Sequence, residues 1–133
     1  MRLLLVNVLF VCIGNSGRSV MAERLFRQKA SGRHEARSAG ADPHRETAEP
    51  AVVTVLREVG IDASDHRAHR LDDADIAWAD VVIAACDGAC PAAPGKRYEN
   101  WALPDPLGRD VDEVRAIRDE TIRRVGSLLH ELG

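Results

Sequence analysis

Cysteine is scarce in this chain: three in 133 residues, at Cys12, Cys86 and Cys90. So few, and an odd number, exclude a secreted scaffold held by paired disulfides and leave thiols for reaction or metal binding. Lysine is scarcer still, with Lys29 and Lys96 against sixteen arginines. Beside the abundant alanine, this is a compositional bias of a GC-rich genome and says little about function. Neither sign of charge dominates. The net charge is −3 with acids and bases interspersed, so no nucleic-acid partner is expected. No apolar run is long enough to span a membrane. The opening MRLLLVNVLFVC is broken by Asn7, is followed by no small-residue cleavage site, and has Val11 directly before Cys12. It reads as a buried strand of a cytoplasmic protein. Internal repeats and low-complexity linkers are missing too, so residues 1–133 are expected to form one domain.

An apolar fraction of 45% and a charged fraction of 29% fit a folded globular chain. Leu3–Val11 predicts a central parallel strand, and Ser19–Ala30 a helix. Glu35–Ser38 predicts a short strand ending at Gly40. Glu49–Val59 predicts a helix stopped by Gly60. A short helix at Asp72–Trp78, a strand at Val81–Ala85 and a strand at Arg97–Trp101 follow, then the turn-rich LPDPLG. The final helix carries one apolar stripe from Val111 through Val114, Ile117, Val125 and Leu129 to Leu132. Alternation of strand and helix predicts an α/β fold, an open parallel sheet with helices on both faces. Ligands of such sheets bind beyond the carboxyl ends of the strands. Cys12, Cys86 and Asp105 all follow predicted strands and are expected on that rim.

The stretch CIGNSGRS, Cys12 to Ser19, joins the first strand to the first helix. Gly14, Asn15, Ser16 and Gly17 carry little side-chain bulk, which lets successive N–H groups, with that of Ile13, turn inward as an anion nest. The helix start adds its positive end, and Arg18 can grip two oxygens of a tetrahedral anion. The same field favours a thiolate at Cys12, and Ser19 can donate a hydrogen bond to it. A Cys-x5-Arg pair alone is a weak signal, and a cysteine ending a core strand is otherwise a small apolar residue. Between a strand and a helix, the nucleophile is the better reading. Asp105, held between Pro104 and Pro106, suits a proton donor on a restricted loop; without Cys12 and Arg18 it would be an ordinary turn.

VCIGNSGRS, with MAE at Met21–Glu23, SAG at Ser38–Gly40, GID at Gly60–Asp62 and DP at Asp105–Pro106, resembles the low-molecular-weight protein tyrosine phosphatases and the arsenate reductases built on their fold. The resemblance runs from about Val8 to the C-terminus. It implies a four-stranded parallel, flavodoxin-like fold. It also implies that Cys12 is the nucleophile, Arg18 the oxyanion binder and Asp105 the general acid. CDGACPAAPGKRYENW, residues 86–101, resembles actinobacterial arsenate reductases in particular. Phosphatases of the family usually lack the two later cysteines and carry aromatic residues after the DP pair, where this chain has Leu107-Gly108.

The resemblance implies reduction of arsenate to arsenite for detoxification, with Cys86 and Cys90 relaying a disulfide from Cys12 to an external thiol. That reductant is thioredoxin or a mycothiol and mycoredoxin system. The Cys86–Cys90 spacing is shorter than in the best-known thioredoxin-linked members, which keeps the mycothiol route open. No tightly bound cofactor and no metal are expected, and a monomer is. Phosphate or sulfate is expected to fit the same loop as arsenate. The alternatives are a phosphotyrosine phosphatase, a non-catalytic oxyanion-binding regulator, and a structural zinc site on His66, His69, Cys86 and Cys90, whose spacing is unusual for zinc. The two histidines are expected on the surface of a loop. Many members carry a second cysteine where this chain has Gly17. Some relatives bind potassium beside the loop; Asn15, Glu23 and Ser38 match three of the ligands, but His69 stands where the fourth is acidic.

Overall fold

Four strands, all parallel, lie in the order β2-β1-β3-β4 in a computed structural model that describes residues 5–85 and 96–133. They are β1 (Asn7–Cys12), β2 (Glu35–Gly40), β3 (Val81–Ala84) and β4 (Arg97–Asn100), with helices α1 (Arg18–Ala30), α2 (Pro50–Arg57), α3 (Asp73–Trp78) and α4 (Val111–Leu132). β1 is paired on both sides, Val8 with Ala36 and Val81, and Val11 with Ala39 and Ala84. A strand so placed has no solvent face, which is why five consecutive residues, Val8–Cys12, are all buried.

Alternation along β1 divides the core. Val8 and Phe10 face a large cluster that takes Val20, Met21, Leu25 and Phe26 from α1, Val52, Val55 and Leu56 from α2, and Val114, Ile117, Val125 and Leu129 from α4. Leu9 and Val11 face a smaller cluster closed by Leu71, Ile76 and Trp78, the last two from α3. The helices thus cover both faces, as the alternation predicts. Phe10 is the hub of the larger cluster. Its ring lies 5.6 Å from that of Phe26 and 5.8 Å from that of Trp101, both tilted.

Several boundaries differ from the sequence pattern. β1 starts at Asn7, with Leu5 and Val6 ahead of it outside the strand; the expected start at Leu3 lies outside the described residues. Leu5 is 64% exposed. Asn7 pins the entry: its N–H donates to Asp80 Oδ2 at 2.9 Å and its Nδ2 to the Trp78 carbonyl at 3.0 Å. β2 runs on through Gly40, because β1 continues to pair it as far as Cys12. α2 begins at Pro50, whose fixed φ suits a first helical position, and ends at Arg57, ahead of the turn made by Gly60 at φ +85°. β4 stops at Asn100, and Trp101 turns into the core instead of extending the strand. α3 is short but firmly capped by reciprocal bonds between Asp72 and Asp75. No helix among the described residues is long and apolar enough to cross a membrane.

Phe10→Ala removes the shared partner of Phe26 and Trp101. It is expected to cost about 3–5 kcal/mol of stability, read as a lower urea midpoint at an unchanged slope.

Candidate active site

Cys12 is the last residue of β1, and α1 starts six residues later at Arg18. The chain between them reverses over the carboxyl edge of the sheet through Asn15, at φ +50°. Asn tolerates this left-handed conformation better than most residues. Asn15 is fully buried, and each of its polar groups is committed. Its N–H points to Cys12 Sγ at 3.3 Å, and its Nδ2 donates to Ser19 Oγ at 2.8 Å. Its Oδ1 accepts the His69 N–H at 2.8 Å, and its carbonyl meets His66 Nε2 at 2.7 Å. A carbonyl only accepts, so this nitrogen of His66 carries the proton. Ser19 Oγ lies 3.0 Å from Cys12 Sγ. A thiolate at Cys12 can only accept, and the Ser19 hydroxyl then donates to it. The Asn15 N–H and the Ser19 hydroxyl thus both reach the Cys12 sulfur, and both can donate to a thiolate there.

The loop is walled by the end of β2. Ala41 N–H donates to the Cys12 carbonyl at 2.9 Å and Asp42 N–H to the Ile13 carbonyl at 2.8 Å. This proximity requires a glycine: a Cβ on Gly40 would lie 2.8 Å from the Ile13 oxygen and 2.9 Å from Asn15 N. From the other side, Glu49 N–H donates to the Ser16 carbonyl at 2.8 Å, tying the entry of α2 to the loop.

The Arg18 side chain is 5% exposed; one nitrogen donates to the Leu103 carbonyl at 3.2 Å and another lies 3.8 Å from Asp105 Oδ2. Asp105 is half exposed and is oriented by the Leu107 N–H on its Oδ1 at 3.0 Å. Cys12, Arg18 and Asp105 open onto one cavity of about 330 Å³, together with loop residues Ile13, Gly14, Ser16 and Gly17. His44, Arg45 and Glu49, which the sequence pattern did not mark as site residues, complete its lining with Leu107, the residue that stands where phosphatases carry an aromatic. Cys86 and Cys90 lie outside the described residues, as does their expected place on the rim. Ala85, the residue before Cys86, donates its N–H to the Val11 carbonyl at 2.7 Å.

His66 is not the surface residue the sequence suggested. It is buried beneath Asn15, and its Nε2 is already used. His66 Nε2 and His69 Nε2 are both engaged, by the Asn15 carbonyl and by Asp75, and the other two ligands of the alternative zinc site, Cys86 and Cys90, lie outside the described residues. Among the described residues, the one grouping of metal-type ligands is His69, Asp72 and Asp75, and those two carboxylates form the cap of α3. The residues beneath the loop do not fit a potassium ion. Glu23 is held by the Ser38 hydroxyl at 2.5 Å and by Arg27 at 2.7 Å, Asn15 Oδ1 is occupied by His69 N–H, and the His69 ring turns to Asp75 Oδ2 at 2.8 Å.

A thiol in an anion nest at the carboxyl edge of a parallel sheet, with a guanidinium and a carboxyl group across the same cavity, defines a cysteine-dependent oxyanion enzyme. Residues 7–133 match the low molecular weight phosphotyrosine protein phosphatases, and the chain belongs to that family. Arsenate reductase 1 of Staphylococcus epidermidis is 31% identical over 130 residues, which cover 95% of this chain and 97% of that protein. The solved structure of an arsenate reductase in its phosphate-binding state is 29% identical with a TM-score of 0.89, covering 97% of this chain and 100% of that one. The thioredoxin-dependent arsenate reductase of Corynebacterium glutamicum is 36% identical with a TM-score of 0.81, over 96% of this chain and 62% of that one.

Gly40→Ala should force the β2 end off the loop and weaken inorganic phosphate binding at least tenfold by calorimetry, because backbone on both sides must move. A second prediction concerns pH. Burial holds His66 below the ordinary histidine range, although its bond to the Asn15 carbonyl works the other way. Above about pH 6.5 both folded and unfolded chains are neutral here. Below it the unfolded chain takes up a proton that the fold resists, so stability falls with falling pH until the lowered folded-state value is reached. His66→Gln should flatten the dependence of the urea midpoint between pH 6.5 and 5.

Proposed function

We propose that this protein reduces arsenate to arsenite. The observation that carries the reading is the Cys12 sulfur, bonded by Ser19 and by Asn15 N–H beside the buried Arg18, in a chain that holds two further cysteines and is similar to arsenate reductases. Arsenate enters the loop, with its oxygens on the N–H groups of residues 13–17 and on the Arg18 fork. The Cys12 thiolate attacks arsenic. As the S–As bond forms, an As–O bond breaks, and Asp105 protonates the departing oxygen, which leaves as water.

The adduct is then resolved by a second thiolate. Cys86 attacks the Cys12 sulfur, the S–As bond breaks, and its electron pair stays on arsenic. As(V) becomes As(III) and leaves as arsenite, while two thiols become one disulfide. Cys90 attacks Cys86 and expels the Cys12 thiolate, leaving Cys86–Cys90 for an external thiol. Thioredoxin is the reductant this scheme favours, in keeping with the similarity to the Corynebacterium enzyme; attack by mycothiol on the adduct is the other route. Ala85, bonded beside Cys12 through Val11, supports Cys86 as the attacking thiol. Three thiols kept reduced for such work suit the cytoplasm. A phosphate ester stops at the adduct, because phosphorus does not accept the electron pair, and only hydrolysis follows.

Arsenate-dependent NADPH consumption, measured with thioredoxin and its reductase and in parallel with a mycothiol system, tests the reading. Turnover with either supports it. No turnover with both, beside brisk aryl-phosphate hydrolysis, would assign a phosphatase instead. Cys86→Ser should leave alkylation of Cys12 intact yet abolish multiple turnover with thioredoxin. Asp105→Asn should slow adduct formation by about 10²–10⁴-fold, read by stopped-flow in a single turnover.

A further inference from the structure

Gly17 stands where the oxyanion loop meets the loop that carries Asp105. Its φ is −138° and its ψ −87°, so it does not lie in the left-handed region. The constraint is space. A Cβ built on Gly17 would lie 2.6 Å from Cγ and 3.3 Å from Cδ of Pro106, whereas the next neighbour, Val52, is 3.8 Å away. Pro106 is a rigid ring directly after Asp105, and it cannot swing aside as a flexible side chain can. Its carbonyl accepts the Arg109 N–H at 3.2 Å, and the Asp105 carbonyl accepts Arg109 Nε at 2.7 Å, so the turn moves as one piece.

We propose that Gly17 is a positioning residue for the general acid: the missing side chain is the seat on which Pro106 rests, and this seat sets the height of Asp105 over the anion cradle. The inference rests on the reading of Asp105 as the acid. Apolar carbons settle at about 3.5–4.0 Å. With the two loops set as they are in this chain, a Cβ at position 17 therefore lifts Pro106, and Asp105 with it, by about 1 Å. A displacement of that size costs up to about 10²-fold in rate when it falls on a group that must meet a reacting atom. The backbone N–H of Gly17 stays in place, so anion binding is spared.

The test is a double-mutant cycle on the single-turnover rate of adduct formation at Cys12, with inorganic phosphate binding measured on the same samples. Gly17→Ala should slow adduct formation about 10- to 100-fold, leave the phosphate Kd within about twofold, and flatten the limb of the pH–rate profile that disappears in Asp105→Asn. Pro106→Ala removes Cγ and opens the seat, so Gly17→Ala in that background should cost less than about threefold. Losses that multiply across the cycle, or a Gly17→Ala enzyme at wild-type rate, would overturn the seat. If Asp105→Asn is itself without effect, the acid reading fails first, and the two failures are distinguishable. Should Gly17→Ala not fold, recovery of folding in the Gly17→Ala, Pro106→Ala double variant supports the contact, and no recovery refutes it.

Discussion

The site depends on one buried peptide that runs backwards. Asn15, turned into the left-handed region, presents its N–H to the Cys12 sulfur while its carbonyl points the other way, into the protein. That inversion leaves a carbonyl and a side-chain amide to be satisfied in the interior, where an unpaired polar group costs about 1–3 kcal/mol. His66, His69 and Ser19 meet those needs from two different segments of the chain. Ser19, bonded to Asn15 Nδ2, is thereby held beside the sulfur, where its hydroxyl can donate to a thiolate. The nucleophile's environment is thus the output of a hydrogen-bond network in which every member fixes the next.

The sheet explains how so exposed a function rests on so buried a support. β1 is central and paired on both sides, so Cys12 is delivered to the rim with little freedom. The edge strand β2 ends beside it in Gly40, whose bare Cα lets two backbones touch. The second wall comes from beyond β4, where Trp101 and Leu103 are buried and anchor the chain just before Pro104-Asp105-Pro106. The acid loop is short, and both of its flanks are fixed. Arg18 adds an electrostatic demand. Its guanidinium is buried, and a buried charge is tolerated only with partners. The Leu103 carbonyl and Asp105 supply part of that; a bound tetrahedral anion supplies more.

Much of this was legible in the sequence, because local chemistry leaves local traces. A strand, five small or polar residues, an arginine and a helix announce an anion nest in order, and the strand-helix alternation announces the parallel sheet. What could not be read was the far side of each contact. His66 carries no local sign that it will lie beneath Asn15, 51 residues away, and a histidine between Asp65 and Arg67 reads as surface. Gly40 was visible as the end of a strand, yet the reason for it lies in the backbone of residues 13 and 15. Gly17 read as the loss of a competing thiol. Its contact with Pro106 supplies a second, steric reason that no spacing could have shown. Leu5 and Val6 are apolar yet precede the strand, since apolar residues form a strand only where a partner exists to pair them.

The cradle itself does not choose between hydrolysis and reduction. A nest of N–H groups, a guanidinium and a thiolate recognise tetrahedral geometry and charge, which phosphate and arsenate share. The two anions part only after the covalent adduct has formed, when arsenic can accept an electron pair and phosphorus cannot. Selection between the outcomes therefore belongs to whatever reaches the adduct first, water or a second thiol. In this chain Cys86 is one residue beyond Ala85, which is bonded to the strand that carries Cys12. A thiol supplied by the same chain acts at an effective concentration no external thiol matches. In the proposed relay, a phosphatase-type loop turns to redox work without change to its anion cradle, once the same chain offers a competing nucleophile.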